Sequence, residues 1–463
     1  MNIFFMAGLV ILGFVPSMGQ GYKFFDPQDS LAIPKSISAS GLYQDIPSKR
    51  LDPLAVPYDV NVALWSDAAA KQRWLILKPG TKIAYNDTGD FYKYPDGAVF
   101  VKNFSIDTLS GDSLSRILWE TRLLVLKLVA GKEKWLGFSY QWNPQQTDAL
   151  LVAKEGKNET LQIRPRGKQA TVLKKWRFPS RNECNTCHLT LVRGTVQGRS
   201  VLGFFTAQLN RPSRHDRSLN QLQYFFNLGI FQGAPPDDFR LSPKWAALDD
   251  GTASLETRSR SYIAANCSGC HGSRGLEIGG AWGVDLNYDF HDMQPKMEWV
   301  GRETSRSLGI EGVKLITPAR PDLSLLYLRQ TFRDTSGESF QGHPNQMPPL
   351  GTFQEDTAAT AILSAWIRSM PPAGIIGRKR ALETAAMPFF QNGFILIPIP
   401  LTAHGTHTTD RTSATSTVSL VNALGKSLGL QPSGVGRFRI VTPYSPGLHW
   451  VETQGRSFPL VLF

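Results

Sequence analysis

All four cysteines of the 463-residue chain lie in two copies of one pattern, Cys184-Asn-Thr-Cys187-His188 and Cys267-Ser-Gly-Cys270-His271. Two thiols three positions apart reach the two vinyl groups on one edge of a haem. The adjacent imidazole then stands under the iron. Two copies that consume every cysteine point to two covalently held haem c groups, with His188 and His271 as proximal iron ligands. A structural zinc site pairs its Cys-x-x-Cys elements about 15–20 residues apart, whereas about eighty residues separate these two. A disulfide within each pair, or a thioredoxin-like couple, would leave both histidines without a role.

The far side of each iron is a separate question. Met347 sits in Gln346-Met347-Pro348-Pro349-Leu350, a loop stiffened by two prolines just before the last helical stretch of its region. A thioether there would favour the ferrous state, giving His271/Met347 coordination; His343 is the spare candidate. The first motif has no such partner in reach along the chain. No methionine lies between Met18 and Met293, and no histidine precedes His188. His215 is the nearest candidate, His291, Met293 and Met297 are further ones, and an open or water-bound iron is the remaining reading.

Helices are expected to position these groups. In 251–372 an apolar surface of Leu255, Tyr262, Ile263 and Ala264 marks a helix leading into the second motif. A second helix is expected over 322–332. A third follows Thr352-Phe353-Gln354-Glu355, read as a capping box, with Ala358, Ala361, Ile362, Ala365 and Trp366 at helical spacing. Tyr262 and Trp366 are expected where the first and last helices cross. In 176–250, which holds the first motif, a closing helix is expected over 220–229.

The flanks read differently. Within 20–175, residues 73–78, 98–106, 120–128 and 135–142 are rich in β-branched, aromatic and leucine residues, punctuated by Pro79-Gly80, Asp96-Gly97 and Ala130-Gly131. Trp65, Trp119, Trp135 and Trp142 are core residues on this reading, with a sugar-binding platform as the alternative. A linker over 373–384 leads to 385–463, where short strands recur at 394–399, 417–422, 437–441 and 448–453. Residues 1–19 read as a signal peptide, and no later stretch reaches the ~18 apolar residues of a membrane span. The net charge of +12 comes from scattered Lys and Arg, with no nucleic-acid-binding motif. The expected fold class is therefore multidomain α+β: a β-sandwich-like N-terminal domain, two all-α cytochrome c-like haem segments and a small C-terminal β-sandwich.

Two resemblances sharpen this. Tyr58-Asp-Val-Asn-Val-Ala-Leu-Trp-Ser-Asp67, Glu120-Thr-Arg-Leu-Leu124, Tyr140-Gln-Trp-Asn143, Phe178-Pro-Ser-Arg-Asn-Glu-Cys184, Thr206-Ala-Gln-Leu-Asn210 and the Met347 loop make residues 55–370 resemble a family of exported bacterial di-haem proteins without an assigned reaction. The resemblance implies a β domain followed by two c-type haem segments and a broadly defined redox function. Ile397-Pro-Ile-Pro400, Val421-Asn-Ala-Leu-Gly-Lys426 and Pro446-Gly-Leu-His-Trp-Val451 make the tail similar to the sorting domain of type IX secretion. Here an apolar final strand replaces the usual basic one. That likeness implies passage across the outer membrane; the location expected for the exported chain is the periplasm, cell surface or medium of a Gram-negative bacterium.

The function expected from these readings is electron transfer to a redox protein or small donor or acceptor. A di-haem peroxidase-like oxidoreductase with an open first haem is the alternative. A surface glycan- or protein-binding module with a haem relay is the third reading.

Overall fold

The computed structural model describes residues 33–85, 92–129, 132–188, 191–192, 195–196, 201–271, 286, 299–304, 307–333, 339–340, 343–344 and 346–372, and eight strands between 389 and 462. The chain divides into two compact units, 1–370 and 371–463. The expected signal peptide and linker lie outside the described residues.

The first unit is mixed α and β. Its centre is a six-stranded antiparallel meander of β1 (Val56–Tyr58), β2 (Ala70–Ile76), β3 (Val99–Asp107), β4 (Arg116–Val129), β5 (Lys132–Trp142) and β6 (Ala149–Leu151), paired in chain order. The strands form where β-branched and aromatic residues alternate. Gly80 and Gly97 take the positive φ values, +80° and +79°, that the turns around β2 and β3 require. Alternation gives the sheet two different faces. On one, Ile76, Val99, Val101, Leu123, Val125, Phe138, Tyr140 and Trp142 build an apolar core. On the other, Leu75, Phe100, Leu124, Leu126 and Trp135 build a second one. Trp119, Trp135 and Trp142 are 8%, 2% and 1% exposed. They are therefore core residues and form no platform. A hairpin of β7 (Lys157–Ile163) and β8 (Val172–Phe178) adds Trp176 and Phe178 to a third cluster with Phe104 and Trp119.

Six α-helices occur among the described residues: α1 (Arg181–His188), α2 (Thr206–Leu209), α3 (Gln221–Asn227), α4 (Leu255–Cys267), α5 (Leu325–Thr331) and α6 (Thr357–Ser369). The expectation of all-α haem segments is not met. The first motif's segment also contains the strand pair Leu191–Val192 and Thr195–Val196, and its Phe231–Gln232 pairs in parallel with Ile83–Ala84 of the N-terminal region. The physical reason lies in the short helices. Too small to enclose a core alone, α2 and α3 donate Leu209, Leu222 and Phe225, with neighbouring Phe204 and Phe231, to the core over Phe100 and Trp135. Side-chain amides stitch the join: Gln208 and Val62 exchange two hydrogen bonds, as do Gln221 and Asp59.

The second motif's segment is more helical. Tyr262, Ile263 and Ala264 of α4 share a cluster with Leu326 of α5 and Ala359, Leu363, Trp366 and Ile367 of α6. Tyr262 and Trp366 thus lie in one cluster, as the crossing of first and last helices predicts. The cap of α6 differs from expectation. Asp356, not Thr352, accepts the Ala359 amide at 3.2 Å, because Glu355 instead accepts the Thr360 hydroxyl and Thr352 turns to Pro348. No helix among the described residues is long and apolar enough to cross a membrane.

The second unit contains two four-stranded antiparallel sheets. One orders Phe389–Gln391, Phe394–Leu396, Arg437–Ile440 and Leu430–Pro432. The other orders Ser427–Leu428, Val418–Asn422, Gly447–Thr453 and Arg456–Leu462. Each of the four strands expected in this region overlaps one of these; 397–399, 417 and 441 of the expected ranges lie outside the described residues.

Candidate functional site

The first motif is carried by α1, and its helix starts with a capping box. The Glu183 amide donates to Ser180 Oγ at 3.1 Å, and the Ser180 amide donates back to Glu183 Oε2 at 2.6 Å. Arg177 Nη2 also donates to that carboxylate at 2.7 Å. These contacts hold the Glu183 carboxyl below its ordinary value; its burial opposes them. The Ser-x-x-Glu signal was present in the sequence but was not assigned this role there.

Cys184 then lies directly over Gly137 of β5. A Cβ on residue 137 would stand 2.5 Å from the Cys184 Cβ and 2.8 Å from its sulfur. The absence of a side chain on Gly137 is thus what lets the motif helix settle onto the sheet. Burial pushes the Cys184 thiol up to about 11, against the pull of the nearby Arg122 guanidinium.

The second motif closes α4. Ser254 caps that helix by accepting the Thr257 amide at 3.0 Å, and the Cys267 carbonyl accepts the amides of Cys270 and His271 at 3.1 and 2.8 Å. Burial raises the Cys267 thiol to about 12. Burial, followed by the charge of Arg329, lowers the His271 pKa and so favours the neutral imidazole that an iron ligand requires.

Arg329 also links His271 to the methionine loop. Its carbonyl accepts the Met347 amide at 2.7 Å, and Arg333 Nη1 donates to the Met347 carbonyl at 3.4 Å. Gln346, 6% exposed, ties the loop closed by donating to the carbonyls of Pro348 and Thr352 at 3.2 and 3.0 Å. Asp67 grips the next turn, accepting from the amides of Phe353 and Gln354 at 2.9–3.0 Å. Asp67 and Ala68 hold left-handed backbones, φ 48° and 58°, to make that contact.

The two motifs meet. The Cys187 thiol hydrogen-bonds to Cys270, which raises Cys187 and lowers Cys270. Between the same segments, a Cβ at Gly269 would press on Leu202 Cδ2 at 3.1 Å. His215 is not drawn in. Among the described residues it stacks on Tyr224, with ring centroids 5.2 Å apart, and its amide reaches Ser213. His291, Met293, Met297 and the side chain of His343 lie outside the described residues.

Beside the first motif the sheet carries a row of cations that the sequence reading missed. Cross-strand register aligns Arg73 of β2, Lys102 of β3, Arg122 of β4 and Ser139 of β5. The neighbouring row places Lys71 opposite Phe104, and Phe104 opposite Glu120. Glu120 is fully buried and takes a bidentate pair from Arg122 at 2.7 and 2.9 Å, together with Ser139 Oγ and Trp176 Nε1. Burial, followed by the charge of Arg73, lowers Lys71 to about 7. The signal for this row was parity: these charges occupy the same alternate positions as Leu75, Phe100 and Leu124.

No group of three or more His, Cys, Asp or Glu side chains among the described residues is arranged to hold a metal ion without a cofactor. The donor set does suit haem attachment. Each motif offers two thiols three positions apart beside a histidine, and burial favours the protonated thiol of Cys184 and Cys267. No family model, no curated protein and no solved structure matches this chain.

Proposed function

We propose that the chain is an exported di-haem c-type cytochrome, transferring electrons through haems joined to Cys184/Cys187 and Cys267/Cys270, with His271 and Met347 as the axial pair of the second. The observation that carries this reading is the pair of Cys-x-x-Cys-His motifs, which use all four cysteines, the first carried by α1 and the second closing α4. Cys187 and Cys270 also lie close enough to interact. Haem bound at each motif supplies one-electron exchange at a potential set by axial ligand and burial. The chain's own residues hold the attachment thiols together, keep His271 neutral, and deliver the Met347 loop on α5. The redox partner is a protein or small donor or acceptor. By resemblance, residues 1–19 direct export and 385–463 direct passage across the outer membrane.

The stacking of His215 on Tyr224 favours a second reading, a di-haem peroxidase-like oxidoreductase whose first haem is open. EPR of the oxidised holoprotein separates the two. Two low-spin haems without peroxide turnover are expected for the carrier. A high-spin signal lost in Cys184→Ala, accompanied by peroxide turnover, would replace it with the peroxidase reading. An unchanged ligand-field spectrum in Met347→Ala would remove Met347 from the assignment.

A further inference from the structure

We infer that the cation row of buried Arg73 and half-buried Lys102, extended by Lys71, is the seat for the carboxylates of the haem held at the first motif. This rests on the di-haem reading above. Three observations converge on it.

The first is position. Cys184 stands over Gly137, whose cross-strand partner is Leu124; Arg122, two positions from Leu124, begins the cation row. From Arg122 the row runs across β3 to Arg73 on β2. Two strand spacings make that about 10 Å, about the breadth of a porphyrin from its thioether edge to its propionate edge. Arg122 is thus at the cysteine end and Arg73 at the far end.

The second is charge balance. Glu120 is the one carboxylate within the two rows, and Arg122 already occupies it. Arg73 is 8% exposed, yet no hydrogen bond or ion pair joins it to another described residue. Lys102 Nζ lies over the Phe104 ring at 4.9 Å, and among the described residues no hydrogen bond or ion pair joins it to a carboxylate. Lys71 spends its ammonium on the Leu64 carbonyl at 2.8 Å. Buried cations are costly unless paired. Asp59 acts on Arg73, and Asp356 and Asp67 on Lys71, through space only, with no ion pair among the described residues, so the row retains donors for further anionic groups.

The third is shape. The row lies between the apolar cluster of Phe100 and Leu124 and that of Phe104 and Trp176. A ligand with an apolar body and a carboxylate edge matches this division, whereas a small inorganic anion would leave the flanking apolar surface unused.

The shared chemistry is a carboxylate, from either a haem propionate or a diffusible acid, and potentiometry on the holoprotein distinguishes the sources. Positive charge beside a haem favours the ferrous state. In Lys102→Gln, one of the two midpoint potentials should therefore fall by at least a tenfold change in the ferric/ferrous ratio, about 59 mV for one electron. The other should hold, and Lys102→Arg should restore the first. Arg73→Gln, at the far end of the row, serves as the second variant if Lys102→Gln does not accumulate.

Two covalent haems with both potentials unchanged in both neutral variants would overturn the seat while leaving the di-haem reading standing. Equal shifts in both haems would also overturn it. A wild-type potential that moves on adding citrate, through Lys102, would assign the row to a diffusible acid instead. Wild-type protein without covalent haem, judged by pyridine haemochrome, would overturn the di-haem reading and the seat together.

Discussion

The two Cys-x-x-Cys-His motifs share three residues of a five-residue pattern but stand in different surroundings. The first lies on a β-sheet, with its helix lowered onto Gly137 and a charged stripe beside it. The second ends a helix within an apolar cluster of α4, α5 and α6, where burial and then the charge of Arg329 act on its histidine. A sheet face offers rows of side chains at fixed spacing across strands, so it can align several cations. A helix cluster offers apolar enclosure and one stiff loop, so it can bury a histidine and present a methionine. The same five-residue motif thus sits in a polar setting and an apolar one.

That contrast can be broken by substitution. The largest effect is expected for Glu120→Ala, which leaves Arg122 without its buried carboxylate and should cost about 3 kcal/mol in urea unfolding. An unchanged midpoint would mean that the first motif does not depend on this pair. Gly137→Val should cost about 2 kcal/mol through overpacking against Cys184. Peptide mass analysis should then show haem lost from the first motif and kept on the second. Equal occupancy of both motifs would contradict the close approach. Ser180→Ala removes half of the capping box and should cost about 1 kcal/mol, read by the same unfolding curve.

The smallest effect concerns the second motif's loop and depends on pH. Burial raises the Asp67 carboxyl above its ordinary 3.8, against the amides of Phe353 and Gln354. The unfolded chain therefore loses this proton first as pH rises. Stability contributed below 3.8 is lost as pH climbs through the raised folded value. Asp67→Asn should flatten that decline in unfolding free energy across the acidic range. An identical slope in both proteins would show that Asp67 does not titrate as described.

Much of the scaffold was legible because its signals are local. Enrichment in β-branched, aromatic and leucine residues predicted β2 to β5, Gly80 and Gly97 marked turns, and Asn220 and Gly229 bracketed α3 closely. The cap of α6 was misplaced by four residues, since Thr352 and Asp356 both suit the role and only the contacts of Glu355 and Pro348 decide between them. The all-α reading of the first motif's segment failed for a non-local reason: Phe204, Phe225 and Phe231 have the composition of a small helical core but complete the core of a distant sheet. The cation row was hidden in the same way. Lys71, Arg73, Lys102 and Arg122 read singly as solvated charges, and only the register of three strands places them side by side. The motifs themselves were plain from spacing, but the meeting of Cys187 with Cys270 was not, because about eighty residues intervene.

The central claim is that both motifs carry covalent haem. Intact-mass measurement of the protein from a host that matures c-type cytochromes tests it most directly, alongside Cys184→Ala/Cys187→Ala and Cys267→Ala/Cys270→Ala. The account predicts two haems on the wild-type chain and one on each double variant. A wild-type mass equal to that of the polypeptide alone would contradict it.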